Sequence, residues 1–208
     1  MVINKTESPT AYRQQLKSRI LEAASKEFMR EGIKAVKMDD IASKLSISKR
    51  TLYEIYENKE QLLMACVQER HRQTDEHMEA YRSNGDHNVI DTLKEFYRWQ
   101  LVLTPTINPI YFVEVHKYPK VVKWLAGQHR SVEDRSMLFF QKGVAEGLFR
   151  SDVNYKLINQ LGNACMEYIM KNKLYEDYDM GDLFTNVTML FIRGFCTPKG
   201  IQMLEECL

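Results

Sequence analysis

Residues Met38–Leu63 read MDDIASKLSISKRTLYEIYENKEQLL, and this stretch decides the fold. It describes two short helices joined by a tight turn and followed at once by the start of a third. Ile41, Ala42 and Leu45 lie at i, i+1 and i+4, which gives the first helix one apolar face. Ser46-Ile47-Ser48 breaks that pattern, and Ser48 stands where an N-cap would start a second helix at Lys49. Leu52, Ile55 and Tyr56 repeat the apolar stripe, leaving Lys49, Arg50, Thr51 and Tyr53 on the opposite face. Two such helices with a turn of three or four residues make a helix-turn-helix, whose second helix reads the DNA major groove.

The charges separate a DNA reader from an ordinary helical corner. Lys49 and Arg50 fall at the first positions of a helix, where the macrodipole disfavours cations. Asn58 and Gln61 form a capping-box-like pair that puts Lys59 at the first position of the next helix. Cations at helix N-termini make sense where a phosphate docks, because backbone N–H groups and side chain then act together. A solvated basic surface is the plainer alternative.

Over Arg19–Leu63, RILEAASKEFMREGIKAVKMDDIASKLSISKRTLYEIYENKEQLL, the chain resembles the N-terminal DNA-binding domain of the TetR family of transcriptional regulators. The resemblance rests on Ile20, Ala23, Ala24, Phe28 and Gly32, then on Ile41-Ala42, Ser48, Thr51-Leu52-Tyr53, Tyr56, Lys59-Glu60 and Leu62. It spans about a quarter of the chain and fixes spacing across three helices. Two positions depart from the family pattern: Ser46 stands where Gly is usual at the start of the turn, and Lys37 where Ser or Thr commonly caps. The resemblance implies an all-α protein, with an N-terminal three-helix helix-turn-helix domain (1–58) and a larger helical effector-binding and dimerisation domain (59–208). It further implies a homodimeric, cytoplasmic repressor on a palindromic double-stranded operator, released by a small apolar or aromatic effector and using no cofactor. Phosphate contacts are then expected from Ser48, Tyr53, Tyr56 and Lys59, and base contacts from Lys49, Arg50 and Thr51.

Bulk properties agree with this reading. The 208 residues suffice for a small head and a larger body. A net charge of +1 conceals an asymmetry: residues 1–59 hold 12 Lys and Arg against 8 Asp and Glu, while the remainder is mildly acidic. No run approaches 18 apolar residues, and the first residues lack an apolar signal core. Cys66, Cys165, Cys196 and Cys207 are scattered and form no C-x-x-C pair, which suits a reducing compartment.

Beyond Gly85 the sequence reads as helices punctuated by Pro105, Pro109, Pro119 and Gly147, about nine helices in all plus a short piece after Pro198. Two late apolar stripes are either core or a dimer face. One holds Leu157, Leu161, Cys165 and Tyr168; the other holds Val187, Leu190, Phe191 and Gly194. The family resemblance favours the dimer, because its members pair through their last two helices. Aromatic residues crowd the middle of the body. They form either solid core or an effector pocket drawn from Phe96, Tyr97, Trp99, Tyr111, Phe112, Trp124, Phe139 and Phe140, with Gln100, Glu114 and His116 as polar groups. An enzyme is the weaker reading. His71, Asp75 and His77 make an incomplete metal set, and no phosphate loop or nucleophile elbow is present. A regulator that acts constitutively or through a protein partner remains open.

Overall fold

The computed structural model describes residues 9–103 and 107–206. These form ten α-helices, one 3-10 turn and no strand. The head comprises α1 (Pro9–Glu31), α2 (Met38–Lys44) and α3 (Lys49–Ile55). The body comprises α4 (Lys59–Ser83), α5 (Val89–Leu103), α6 (Pro109–Val115), α7 (Pro119–Ala145), α8 (Tyr155–Lys171), α9 (Met180–Phe195) and α10 (Pro198–Glu205). Pro105 and Cys207 lie outside the described residues.

Local chemistry sets the helix boundaries. Gly32, at φ 84°, ends α1 as a left-handed C′ residue, and its N–H donates to the Phe28 carbonyl. The side chains of Ser48, Asn58, Asn108, Asn154, Asp179 and Thr197 each accept from the first turn of the helix they precede. Lys37 offers α2 no such acceptor. Instead the Asp40 carboxylate reaches back to accept the Lys37 N–H at 3.0 Å, half of a capping box.

Two apolar cores result. The head core gathers Leu16, Ile20, Ala24, Phe28, Ile41 and Leu52, and takes in Leu62, Leu63 and Cys66 of α4 as well as Tyr111 and Val115 of α6. The body core joins Val89 and Ile90 of α5 to Phe140, Phe149, Tyr155, Phe195 and Leu204. Phe149 packs edge-on against Phe195, with ring centroids 5.0 Å apart. Gly143 is required beneath it, because a Cβ there would come within 2.0 Å of the Phe149 ring. No helix among the described residues is long and apolar enough to cross a membrane.

Candidate nucleic-acid interface and effector cavity

The turn between α2 and α3 is a Schellman motif. The Ile47 N–H donates to the Ala42 carbonyl at 3.0 Å and the Ser46 N–H to the Ser43 carbonyl at 3.1 Å. This geometry puts Ser46 at φ 54°, the left-handed conformation implied by the glycine usual at this position. From that corner α3 starts with its N-terminus in solvent. Ser48 Oγ accepts the Thr51 N–H at 3.0 Å and lies 2.8 Å from Thr51 Oγ1. Lys49, Arg50 and Tyr53 are exposed, whereas Leu52 is fully buried and holds the helix to the head.

The two basic side chains at the start of α3 are pre-engaged. Lys49 is paired with Asp39 of α2, and Arg50 with Glu54 one turn along at 2.9 Å. Each carboxylate raises the pKa of its partner, so both cations keep their charge. Exposed pairs of this kind cost little to exchange for a phosphate or a base edge.

Two residues expected at the DNA surface are placed otherwise. Tyr56 is 3% exposed, with its hydroxyl buried and without a hydrogen-bond partner among the described residues; it belongs to the head core. The reason is its register, since it continues the Leu52 stripe that faces α1 and α4. Lys59 also turns inward. Its Nζ donates to the Ile33 carbonyl at 2.7 Å and the Lys34 carbonyl at 3.3 Å, fastening the loop between α1 and α2. Burial lowers its pKa.

A joint between head and body lies next to that latch and was not foreseen from the sequence. The Asn108 N–H donates to the Met29 carbonyl at 2.7 Å and the Asn108 amide to the Arg30 carbonyl at 3.3 Å. Glu114, buried at 7% exposure, accepts the Lys34 N–H at 2.6 Å. Gly32 permits the close approach, since a Cβ there would meet Ile110 Cγ2 at 2.3 Å. The only sequence signal was a glutamate in the otherwise apolar run PIYFVEV.

The body contains a cavity of about 560 Å3 bounded by α4, α5, α7, α8 and α9. Of the aromatic candidates, Phe96, Tyr97, Phe139 and Phe140 line it, joined by Phe184, Phe191 and Phe195. Polar groups at its wall include Asp75, Arg82, Asn159 and Thr188. Tyr97 is held by a hydrogen bond from its hydroxyl to Thr185 Oγ1 at 2.8 Å. The other candidates lie elsewhere. Tyr111 is buried in the head core, and Phe112 packs against it edge-on. His116 is exposed at the end of α6, and Gln100 is half-buried away from the cavity. Trp124 meets His71 edge-on, and Trp99 stacks on His77 with centroids 4.0 Å apart. His77 in turn bonds Glu95 at 2.6 Å, while His71 and Asp75 stand 3.9 Å apart, so the histidines serve separate contacts.

On α8 and α9 the apolar stripes divide. Leu157, Leu161, Tyr168 and Leu190 are 46–70% exposed, and Gly194 faces open space. Cys165 is half-buried between the two sides. Val187 and Phe191 instead turn inward and line the cavity.

Comparison with known proteins agrees with this architecture. Residues 20–66 match the family model of bacterial regulatory proteins, tetR family. No curated protein matches the chain. Among solved structures, a transcriptional regulator of the TetR family from Agrobacterium tumefaciens is similar at TM-score 0.71 and 14% identity, over 89% of this chain and all of that one. A transcriptional regulator from Saccharomonospora viridis in complex with choline is similar at TM-score 0.69 and 17% identity, over 88% of this chain and 99% of that one. The regulatory protein TetR from Rhodobacter sphaeroides gives TM-score 0.68 and 16% identity, over 86% and 97%. At these identities the likeness is one of fold.

Proposed function

We propose that this chain, which carries a TetR-family DNA-binding head on the fold of TetR-family regulators, acts as a homodimeric repressor of a palindromic operator and is released by a small effector. The observation that carries the reading is the solvent-facing start of α3, where Ser48, Lys49, Arg50 and Tyr53 stand clear of the head on a helix anchored by Leu52. In a major groove, Arg50 and Lys49 would reach base edges, while Ser48 and Tyr53 would hold phosphates. Thr51, half-buried and bonded to Ser48, would contribute through its methyl group.

Pairing is supported by the exposed apolar side of α8 and α9. A second copy would cover Leu157, Leu161, Tyr168 and Leu190, and Gly194 would let two helices approach closely. An effector is supported by the aromatic-walled cavity, whose volume suits a small molecule. Because α4 runs from the head to the cavity wall, a ligand that prefers one inclination of α4 competes with operator through linkage. Release by a small molecule is favoured over a purely constitutive protein by the cavity itself.

The test is a selection of bound fragments from random-sequence DNA, followed by footprinting and light scattering of the complex. A palindromic consensus protected by one dimer is the expected result. Binding with no sequence preference, or by a monomer to a single half-site, would refute it.

A further inference from the structure

A second cavity of about 550 Å3 lies between α1 and α4, bordered by Trp99 of α5. Thr74 borders both cavities, and its hydroxyl accepts the Trp99 indole N–H at 3.3 Å, so this pair forms part of the partition between them.

Arg70 distinguishes this cleft. The neighbouring arginines of α4 are neutralised, Arg72 by Glu69 and Glu76 and Arg82 by Glu79. Arg70 has no carboxylate within ion-pair distance among the described residues; its guanidinium donates to the thioether of Met29 at 3.5 Å, a weak acceptor. The adjacent Glu69 is already occupied by Arg72 and Gln73. A half-buried guanidinium remains charged at any accessible pH, and leaving it without a counter-charge costs free energy that an anion would return. Leu21, Met29 and Trp99 give the cleft an apolar strip beside polar groups that include Ser18, Ser25 and Gln73. Glu22 and Glu69 at the lining are matched by Lys26 and Arg72, which leaves Arg70 as the added positive charge for a single carboxylate.

We propose that the cleft between α1 and α4 is a binding site for a small monocarboxylate with an apolar body. Arg70 takes the carboxylate in a two-pronged hydrogen bond, and the hydrocarbon lies along Leu21, Met29 and Trp99. The site is separate from the effector cavity and does not depend on the effector reading. Its position has a direct consequence: α1 belongs to the head and α4 continues into the body, so an occupant bridges the two.

Sodium octanoate is a suitable probe, with 1-octanol as its uncharged counterpart, titrated into the full chain by calorimetry. One octanoate is expected per chain, with octanol at least tenfold weaker. Arg70→Gln should weaken octanoate by roughly ten- to a hundredfold, the loss of a charge-assisted bond, whereas Arg70→Lys, which keeps the charge but not the two-pronged geometry, should fall between Gln and wild type. In a Trp124→Phe background Trp99 is the sole tryptophan, and its emission should shift on saturation with octanoate. The proposal is overturned if the wild-type chain does not bind octanoate, if Arg70→Gln and Arg70→Lys bind as wild type does, or if Phe96→Ala in the other cavity removes the binding.

Discussion

Replacing Ser46 by Gly tests the physical account of the α2–α3 corner. Ser46 holds φ 54° because the two hydrogen bonds of the Schellman turn leave it no other conformation. A left-handed backbone costs a non-glycine residue about 1–2 kcal/mol. Glycine removes that strain but gains freedom in the unfolded chain, which takes back about 0.4–1 kcal/mol. Since Ser46 is exposed, its side chain leaves no cavity behind. The net gain therefore lies between about 0 and 1.6 kcal/mol, centred on ~0.8, or roughly 2–3 °C in thermal midpoint for a chain of this size. Differential scanning calorimetry of wild type, Ser46→Gly and Ser46→Val reads it directly. The β-branched valine should melt below wild type and glycine above. If glycine melts at or below wild type, the turn is not strained and the reasoning from φ fails.

Other outcomes follow from the same geometry. Lys59→Ala removes two charged hydrogen bonds to backbone carbonyls and should destabilise the head by about 1 kcal/mol, read as earlier amide exchange in residues 32–37. Arg50→Ala should lose about 1–3 kcal/mol against one symmetric pair of operator positions while leaving scrambled DNA almost unaffected, as measured by binding isotherms. Leu190→Glu, on the exposed side of α9, should give a folded monomer by light scattering; an unchanged dimer would place the interface elsewhere. Burial pushes the Tyr111 hydroxyl up to about 12, from an unfolded value near 10. The folded state thus holds that proton more tightly, so the contribution is intact below about pH 10 and is lost as pH rises towards about 12. Tyr111→Phe should flatten that part of an alkaline denaturation profile.

The helix-turn-helix was legible because its signals are local. Ser48 and Asn58 announce helix starts by side chains that cap within three residues, and Leu52 with Ile55 sets the buried side of α3. Tyr56 shows the limit of transferring roles by resemblance: its place in that same apolar stripe had already pointed inward. Lys59 is drawn inward by the carbonyls of Ile33 and Lys34, which lie in a loop whose path no pattern predicts. The body aromatics were harder still. Periodicity says that Tyr111 and Phe140 each face something, yet one joins the head core and the other the body core. That choice depends on which helices become neighbours, which no pattern within one helix records. The contact of Glu114 with Lys34 spans 80 positions, and the sequence marks it only by a glutamate in an apolar run, with nothing to name its partner.

The joint between head and body has one further property. Its hydrogen bonds to the head go to main-chain atoms: the carbonyls of Met29, Arg30, Ile33 and Lys34 and the N–H of Lys34. Every residue type has a carbonyl, and every one but proline an N–H. The hydrogen bonds of the joint thus grip the shape of this loop, while its buried Ile33 and Val36 pack in the same core as Tyr111 and Val115 of the body. With Gly32 kept at its positive φ, Ile33 and Val36 kept in the core and proline kept from position 34, the head can change its outward side chains, and with them the DNA sequence it prefers, without renegotiating its attachment. In engineering terms the connector is generic, and heads of other specificity that present the same loop should be exchangeable on this body.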